Sequence, residues 1–282
     1  YLFDDAIAAY QKYVQLAPPR DVQARQVDHE IEACRSGLGL LNHIKDITVL
    51  DKKSSTSDEF FRLYDLTDIG GKILVTPDAL LSNLDKKKNH RSLIHFRGAG
   101  TTVYFSSYGR DGKNGLDIYR AEVLPGGEFS DPVALPAAVN SPYDEDFPYM
   151  HPNGKTLYFS SKGHGSMGGY DIFRSDFNPI TNRFSPPQNL DFAVNTPDDD
   201  LFYVVDSLNG LANFSSSRSS PMGRLHVYRV EVEAAPMDLT FIKGDFINRL
   251  NPGIKSAKIT VTDAATNEEL TVQYSDPGTG DY

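Results

Sequence analysis

Residues 155–161 read KTLYFSS, with Leu157 and Phe159 on one side of a two-residue alternation and β-formers throughout, so they predict a half-buried strand. A glycine-rich connection leads to residues 170–174 (YDIFR), a second strand, and the pair predicts a hairpin. Ahead of it, residues 146–151 (DFPYMH) predict another strand, joined through Pro152-Asn153-Gly154, where Asn-Gly supplies the positive φ of a tight turn. Behind it, residues 184–190 (FSPPQNL) fit only an outer edge, because Pro186 and Pro187 have no N–H to give to a ladder. Four strands ending in a proline-bearing edge make one unit.

The unit is written three times. The segments 103–120 (VYFSSYGRDGKNGLDIYR), 157–174 (LYFSSKGHGSMGGYDIFR) and a worn copy at 213–229 (NFSSSRSSPMGRLHVYR) align on Phe105, Phe159 and Phe214, which recur at nearly equal intervals. AVNSP from Ala138 returns as AVNTP from Ala193. A fixed period of this size, made of short strands and turns, predicts radial repetition as in a β-propeller. Residues 45–100 fall on the same period: ITVL at 47–50 lies one interval before TTVY at 101–104, and 61–66 falls where the strand beginning at Asp117 would. We therefore expect a mainly-β chain with a propeller over 45–236. Four blades are visible, five or six being the alternatives, and the degenerate first copy is expected to close by pairing with strands from the far end.

The flanks follow other rules. Phe3, Ala6, Ile7, Tyr10, Val14 and Leu16 keep mostly to three- and four-residue steps until Pro18, predicting an amphipathic helix. A second helix is expected over 21–41, with Ala24, Val27, Ile31 and Cys34 in step and Gly37 and Gly39 as stop signals. Residues 1–44 thus form a helical segment, either the end of a repeat array with its capping helix or a two-helix hairpin packed on the sheets. From 237 to 282 strands are expected again, at 239–247, 257–263 and 269–274, with Asn251-Pro252-Gly253 among the turns.

Charge and cysteine narrow the field. A net charge of −10 argues against a nucleic-acid backbone as partner and leaves no basic stripe for lipid head groups. Cys34 is the only cysteine, so no disulfide framework or thiolate zinc site can form within the chain. No apolar run approaches the length a membrane-crossing helix needs. Tyr1 is not an initiating residue, and the chain reads as a piece of something longer. Lys86-Lys87-Lys88 is a basic run in an acidic chain, a solvated loop or a docking patch.

Candidate chemistry is sparse. Residues 163–168 match G-x-G-x-x-G literally, but a strand follows where a dinucleotide site needs a helix, so the glycines are read as hairpin residues. His164 stands where a G-x-S-x-G elbow needs glycine. The doubled serines 106–107, 160–161 and 215–216 recur in every copy and read as a device bonding local backbone. Asp144-Glu145-Asp146 and Asp198-Asp199-Asp200 occupy equivalent loops, and these six residues are the candidate partner surface. Four of them, Asp144, Asp146, Asp198 and Asp200, could instead hold calcium, or all could cap backbone N–H groups. Asp117 and Asp171 repeat inside the copies, with His226 in the last. No histidine pair suits zinc, and no cofactor is expected.

YFSS…GGYDIFR followed by a proline-bearing strand resembles the WD40-like repeat of TolB-type propellers, on three copies within residues 101–230. Ala6, Tyr10 and Pro18 sit at offsets resembling the second helix of a tetratricopeptide repeat, and the strand order after Glu231 resembles the start of a carboxypeptidase regulatory-like, transthyretin-type sandwich. That order resembles the modular outer-membrane lipoproteins of Bacteroidetes, which end in an OmpA-type domain and include members of the type IX secretion apparatus. The resemblance implies a non-enzymatic periplasmic scaffold, associated with the outer membrane and bound to other proteins of a secretion complex. It would reach peptidoglycan and the membrane only through a domain and a lipid anchor outside this chain. The alternatives are a glycan- or peptidoglycan-binding propeller without a secretion role and a calcium-dependent hydrolase.

Overall fold

The first helix of the computed structural model, α1 (Phe3–Leu16), carries Asp4 and Asp5 in its first turn, where carboxylates favour the helix N-terminus, and ends before Pro18. The second expected helix is two: α2 (Pro19–Ala24) and α3 (Val27–Leu40), parted by Gln26 in the left-handed region at φ 49°. Gly37 and Gly39, expected as stop signals, lie inside α3. A Cβ at Gly37 would overlap the Phe3 ring, so this glycine is what lets α1 press its buried aromatic side chain onto α3. The structure describes residues 2–41, 47–98, 100–206, 208, 210–232, 243–262 and 269–282.

The chain divides into two compact units, 1–234 and 235–282, and the helices share the first with the sheets. Phe3 meets Phe192 at 6.2 Å between ring centroids, and His29 stacks on Tyr143 at 4.1 Å.

The first unit is mainly β, and all its sheets are antiparallel. β1 (Thr48–Thr56) belongs to the last of them. β2 (Lys72–Val75) and β3 (Leu93–Phe96) make a two-stranded sheet, with helix α4 (Asn83–Lys88) between them in sequence. β4 (Thr102–Ser107), β5 (Asp117–Glu122) and β6 (Val133–Ala134) make a three-stranded one. β7 (Glu145–Met150), β8 (Thr156–Ser161) and β9 (Asp171–Asn178) follow in order, with β10 (Arg183–Phe184) and β11 (Gln188–Asn189) both on β9. The proline-bearing edge is therefore split in two, Pro186 and Pro187 standing between the two short pairings. Helix α5 (Asp191–Val194) leads to β12 (Asp200–Val205), β13 (Leu211–Ser216) and β14 (Arg224–Glu231), and β1 completes that sheet in the order β1-β14-β13-β12. The far-end pairing expected of the first copy is thus present, Thr48 opposite Glu231 and Thr56 opposite Arg224.

Of residues 61–66, expected as a strand, 61–63 lie in a 3-10 helix, Phe60–Leu63, and 64–66 follow it without regular structure. A strand would hold Phe60 and Tyr64 about 13 Å apart. The helical turn brings their rings to 6.1 Å and sets Phe60 5.9 Å from Phe147, so aromatic burial overrides the repeat.

β12 packs on β7 and β8, and β7 on β4 and β3, so successive sheets face one another through their first strands. The same irregularity occurs twice there. Phe147 in β7 and Phe202 in β12 occupy equivalent places in successive copies, and both have positive φ, 52° and 55°, at a break in strand register. Bulky residues rarely accept this conformation. Here it turns both rings into one cluster, 6.0 Å apart, with Phe60 and Tyr64 against them.

In the second unit β15 (Lys258–Thr262) pairs with β16 (Glu269–Tyr274) as expected. The strand expected at 239–247 lies partly outside the described residues. Its described part makes only the bridge Asp245–Asp281, where the 276–281 turn returns the chain onto Gly244 and Phe246.

Candidate functional site

The acidic loops enter the sheets at the start of β7 and β12, and two pairs of carboxylates there, Glu145 with Asp200 and Asp144 with Asp199, repeat an internal duty. Glu145 accepts from the Ser141 N–H and hydroxyl at 2.8 and 2.6 Å, and from the Ser161 hydroxyl at 2.7 Å. Asp200, its equivalent, accepts from the Thr196 N–H and hydroxyl at 2.6 and 2.8 Å, and from Ser216. Both are fully buried. Asp85, fully buried in α4, accepts from the Ser107 hydroxyl at 2.5 Å and the Ser82 N–H at 2.8 Å. One latch is therefore built three times, each from a buried carboxylate and the second serine of a Ser-Ser pair. Sequence reading missed Asp85 because the repeat has decayed there; the signal was Ser82 three positions ahead, the first member of a capping box.

The serines do more than bond local backbone. Ser107, Ser161 and Ser216 do accept from the N–H two positions on, those of Gly109, Gly163 and Arg218. Their partners in each pair reach the next element. Ser106 donates to Asp146, Ser160 accepts from the Phe202 N–H at 3.3 Å, and Ser215 meets the Tyr64 hydroxyl at 3.0 Å. Asn140 and Asn195, from the two AVN motifs, act as surrogate strand residues. Each side-chain amide accepts from and donates to the backbone of one isoleucine, Ile118 or Ile172.

Asp144 and Asp199 are also equivalent. Each Oδ1 accepts, at 3.0 Å, from the N–H just before a strand, Leu116 before β5 and Tyr170 before β9. A Cβ at Gly115 or Gly169 would overlap these same oxygens, which explains the glycines by carboxylate approach. Within the literal G-x-G-x-x-G, a Cβ at Gly168 would run into the Pro197 backbone.

Of the six candidate residues, then, Glu145 and Asp200 have no solvent access and Asp146 is 7% exposed, so these three cannot form a contact surface. Asp144 and Asp199 are half-buried, and Asp198 is exposed. The calcium set is not assembled: among the described residues no three acidic, histidine or cysteine side chains gather as a metal site, because Asp146 and Asp200 serve different sheet junctions.

Burial shapes the electrostatics. It raises Glu145 to about 7 and Asp200 to about 6 against the hydrogen bonds that favour ionisation, and it also raises Asp146. Arg218 neutralises Asp200 across 2.6 Å. Asp171, fully buried at the start of β9, is raised to about 8 by burial, and its Oδ1 has no hydrogen-bond partner. His164 is lowered by burial, and its Nε2–H donates to the Val139 carbonyl at 2.7 Å. His226 lies 3.3 Å from the Ser219 carbonyl and takes no part in these junctions.

Around these latches two tyrosines are capped by ammonium groups, Tyr108 by Lys88 at 3.9 Å and Tyr170 by Lys162 at 4.5 Å, and Lys162 also pairs with Asp144 at 3.2 Å. His90 extends the Ser106–Asp146 link, its Nε2 lying 3.3 Å from Ser106. Ser106 is buried and bonded to the carboxylate, so it is a connector and offers no free nucleophile. A cleft of about 40 Å³ lies between Asp51, Lys53, Asp65 and Arg229, with room for a few water molecules.

Comparison with protein-family models, with curated proteins and with solved structures returns no match. Function is therefore argued from the geometry and from the repeat. Chemically, the arrangement ties loops rigidly to sheets. Its carboxylates are consumed by internal donors, and what reaches solvent is a rim of tyrosine, lysine and the exposed Asp198.

Proposed function

We propose that residues 45–236 form a TolB-type, WD40-like β-propeller, and that the chain is a non-enzymatic periplasmic scaffold of an outer-membrane-associated complex. The complex of the type IX secretion apparatus is the one the modular order favours. One observation carries the reading: the same carboxylate–serine latch at three successive sheets, with the last sheet receiving both strand β1 and the Tyr64 hydroxyl. Such a framework holds its loop ends still, and a rigid set of loops is a binding surface that needs no reaction centre. Anchoring to peptidoglycan and to lipid would come from segments beyond this chain.

The test is co-purification of the tagged full-length protein from its own detergent-solubilised envelope, beside Asp198→Ala, which changes an exposed side chain. Recovery of secretion components with the parent and their loss with the variant supports the scaffold and its acidic loop. Recovery of peptidoglycan fragments alone overturns it in favour of a wall tether, with the propeller's ligand a glycan.

A further inference from the structure

Helix α4 and the β4–β5 loop are locked together. The Asp85 carboxylate accepts from the Tyr108 N–H at 2.8 Å as well as from Ser107, Lys88 covers the Tyr108 ring, and a Cβ at Gly112 would come within 2.8 Å of the Leu84 side chain. This packing brings the last turn of α4 beside loop residues 108–115. Lys86 and Lys87 on the helix and Arg110 and Lys113 on the loop are all exposed, and among the described residues none of the four is in an ion pair. Within these two segments Asp111 is the exposed carboxylate, and its Oδ1 already accepts from the Lys113 N–H. Four cations outside any ion pair among the described residues, the cationic island, are thus carried on two segments locked to each other, on a chain whose net charge is −10.

We infer that this island is a docking surface for an acidic segment of a partner protein. Of the nearby carboxylates Asp85 and Asp146 are buried and Asp144 is paired with Lys162, so four cations and the single exposed Asp111 leave an excess of positive charge that attracts anions at short range, within a Debye length of about 8–10 Å. Beyond that distance the acidic body repels an extended polyanion, which favours a short Asp/Glu-rich peptide over nucleic acid or an anionic bilayer. No large apolar side chain is exposed in either segment to insert into a bilayer. The inference does not depend on whether the sheets close into a propeller, since both segments belong to one locally bonded structure.

The test measures fluorescence anisotropy of a labelled (Glu-Ser)6 peptide, with (Gln-Ser)6 as the neutral probe, against three full-length proteins: the parent, Lys86→Glu/Lys87→Glu/Arg110→Glu, and the charge-matched Lys12→Glu/Arg20→Glu/Arg183→Glu. Circular dichroism checks that all three fold alike. The expected result is salt-sensitive binding of the acidic peptide to the parent and to the distal variant, weakened about ten-fold or more by reversal of the island. Equal binding of acidic and neutral peptides, or equal loss in both variants, overturns the inference. So does stronger binding to vesicles of one part phosphatidylglycerol to three parts phosphatidylcholine than to the peptide. Salt-sensitive self-association that the island variant abolishes also overturns it, making a second copy of the chain the occupant.

Discussion

Replacing Asp171 with asparagine isolates the effect of one buried charge. Asp171 Oδ2 accepts from the Met167 N–H at 3.0 Å and from Asn189 at 2.6 Å, while Oδ1 has no partner. Burial, the largest influence, raises its pKa from 3.8 to about 8; Asp200 adds to the rise, and Arg218 and the two hydrogen bonds oppose it. The folded chain therefore binds this proton more tightly than the unfolded chain. The group's stabilising contribution is fully present below about pH 4 and is lost as pH rises through about 8. At about 1.4 kcal/mol per unit, that interval corresponds to on the order of 5 kcal/mol, and water entry and local relaxation at the ionised site reduce it to about half. Asp171→Asn keeps an acceptor for the Met167 N–H and removes the charge. The chain has no tryptophan, so urea unfolding is best followed by the near-ultraviolet dichroism of its 15 tyrosines, from about pH 5 to 8.5. The variant's stability relative to the parent should rise by about 2 kcal/mol between pH 5 and pH 8.5. Glu145, raised in the same direction, is present in both proteins and cancels in the difference. A difference that does not change with pH, or a parent that gains on the variant as pH rises, would refute the reasoning.

Three further outcomes are expected. Asn195→Ala removes the donor and acceptor that clamp Ile172 and leaves buried backbone groups unpaired, costing about 2–3 kcal/mol in urea unfolding, and Asn140→Ala at Ile118 should cost the same. Gly168→Ala forces a methyl group into the Pro197 backbone and should lower the thermal midpoint by several degrees, whereas Gly39→Ala, with open space around it, should leave it unchanged or raised. Ser54→Cys/His226→Cys, made with Cys34→Ser, places two thiols at directly paired positions of β1 and β14; oxidation should cross-link them within one chain, read as a mobility shift reversed by reductant, and no cross-link would speak against the pairing.

The repeat was legible because a two-residue alternation and a glycine-rich turn are local properties, although β8, expected to be half-buried, is buried on both faces, its polar-facing positions being covered by neighbouring sheets. β8, β9 and β14 follow from it, and the β15–β16 hairpin follows from the strand pattern of its own residues. What escaped depends on partners far along the chain. Phe60 and Tyr64 take a helical turn because Phe147 and Phe202 lie beside them. Gly37 makes room for Phe3, which comes from the other end of the helical segment. The acidic triplets looked like one surface because sequence shows charge and spacing, while burial divides them: Glu145 and Asp200 turn inward to serines, and neighbouring Asp198 turns outward. Asp85 performs the same task from a helix, a context in which no strand pattern marks it.

The position of β1 also has a consequence for synthesis. Its partner β14 lies about 170 residues further along, so at ribosomal rates of about 5–20 residues per second the strand waits on the order of ten seconds or more before that partner emerges. During that interval its exposed edge is free to meet other nascent chains. Lys52 and Lys53 at its middle make such an encounter costly through like-charge repulsion, so the cations that flank the finished seam also guard the unfinished one.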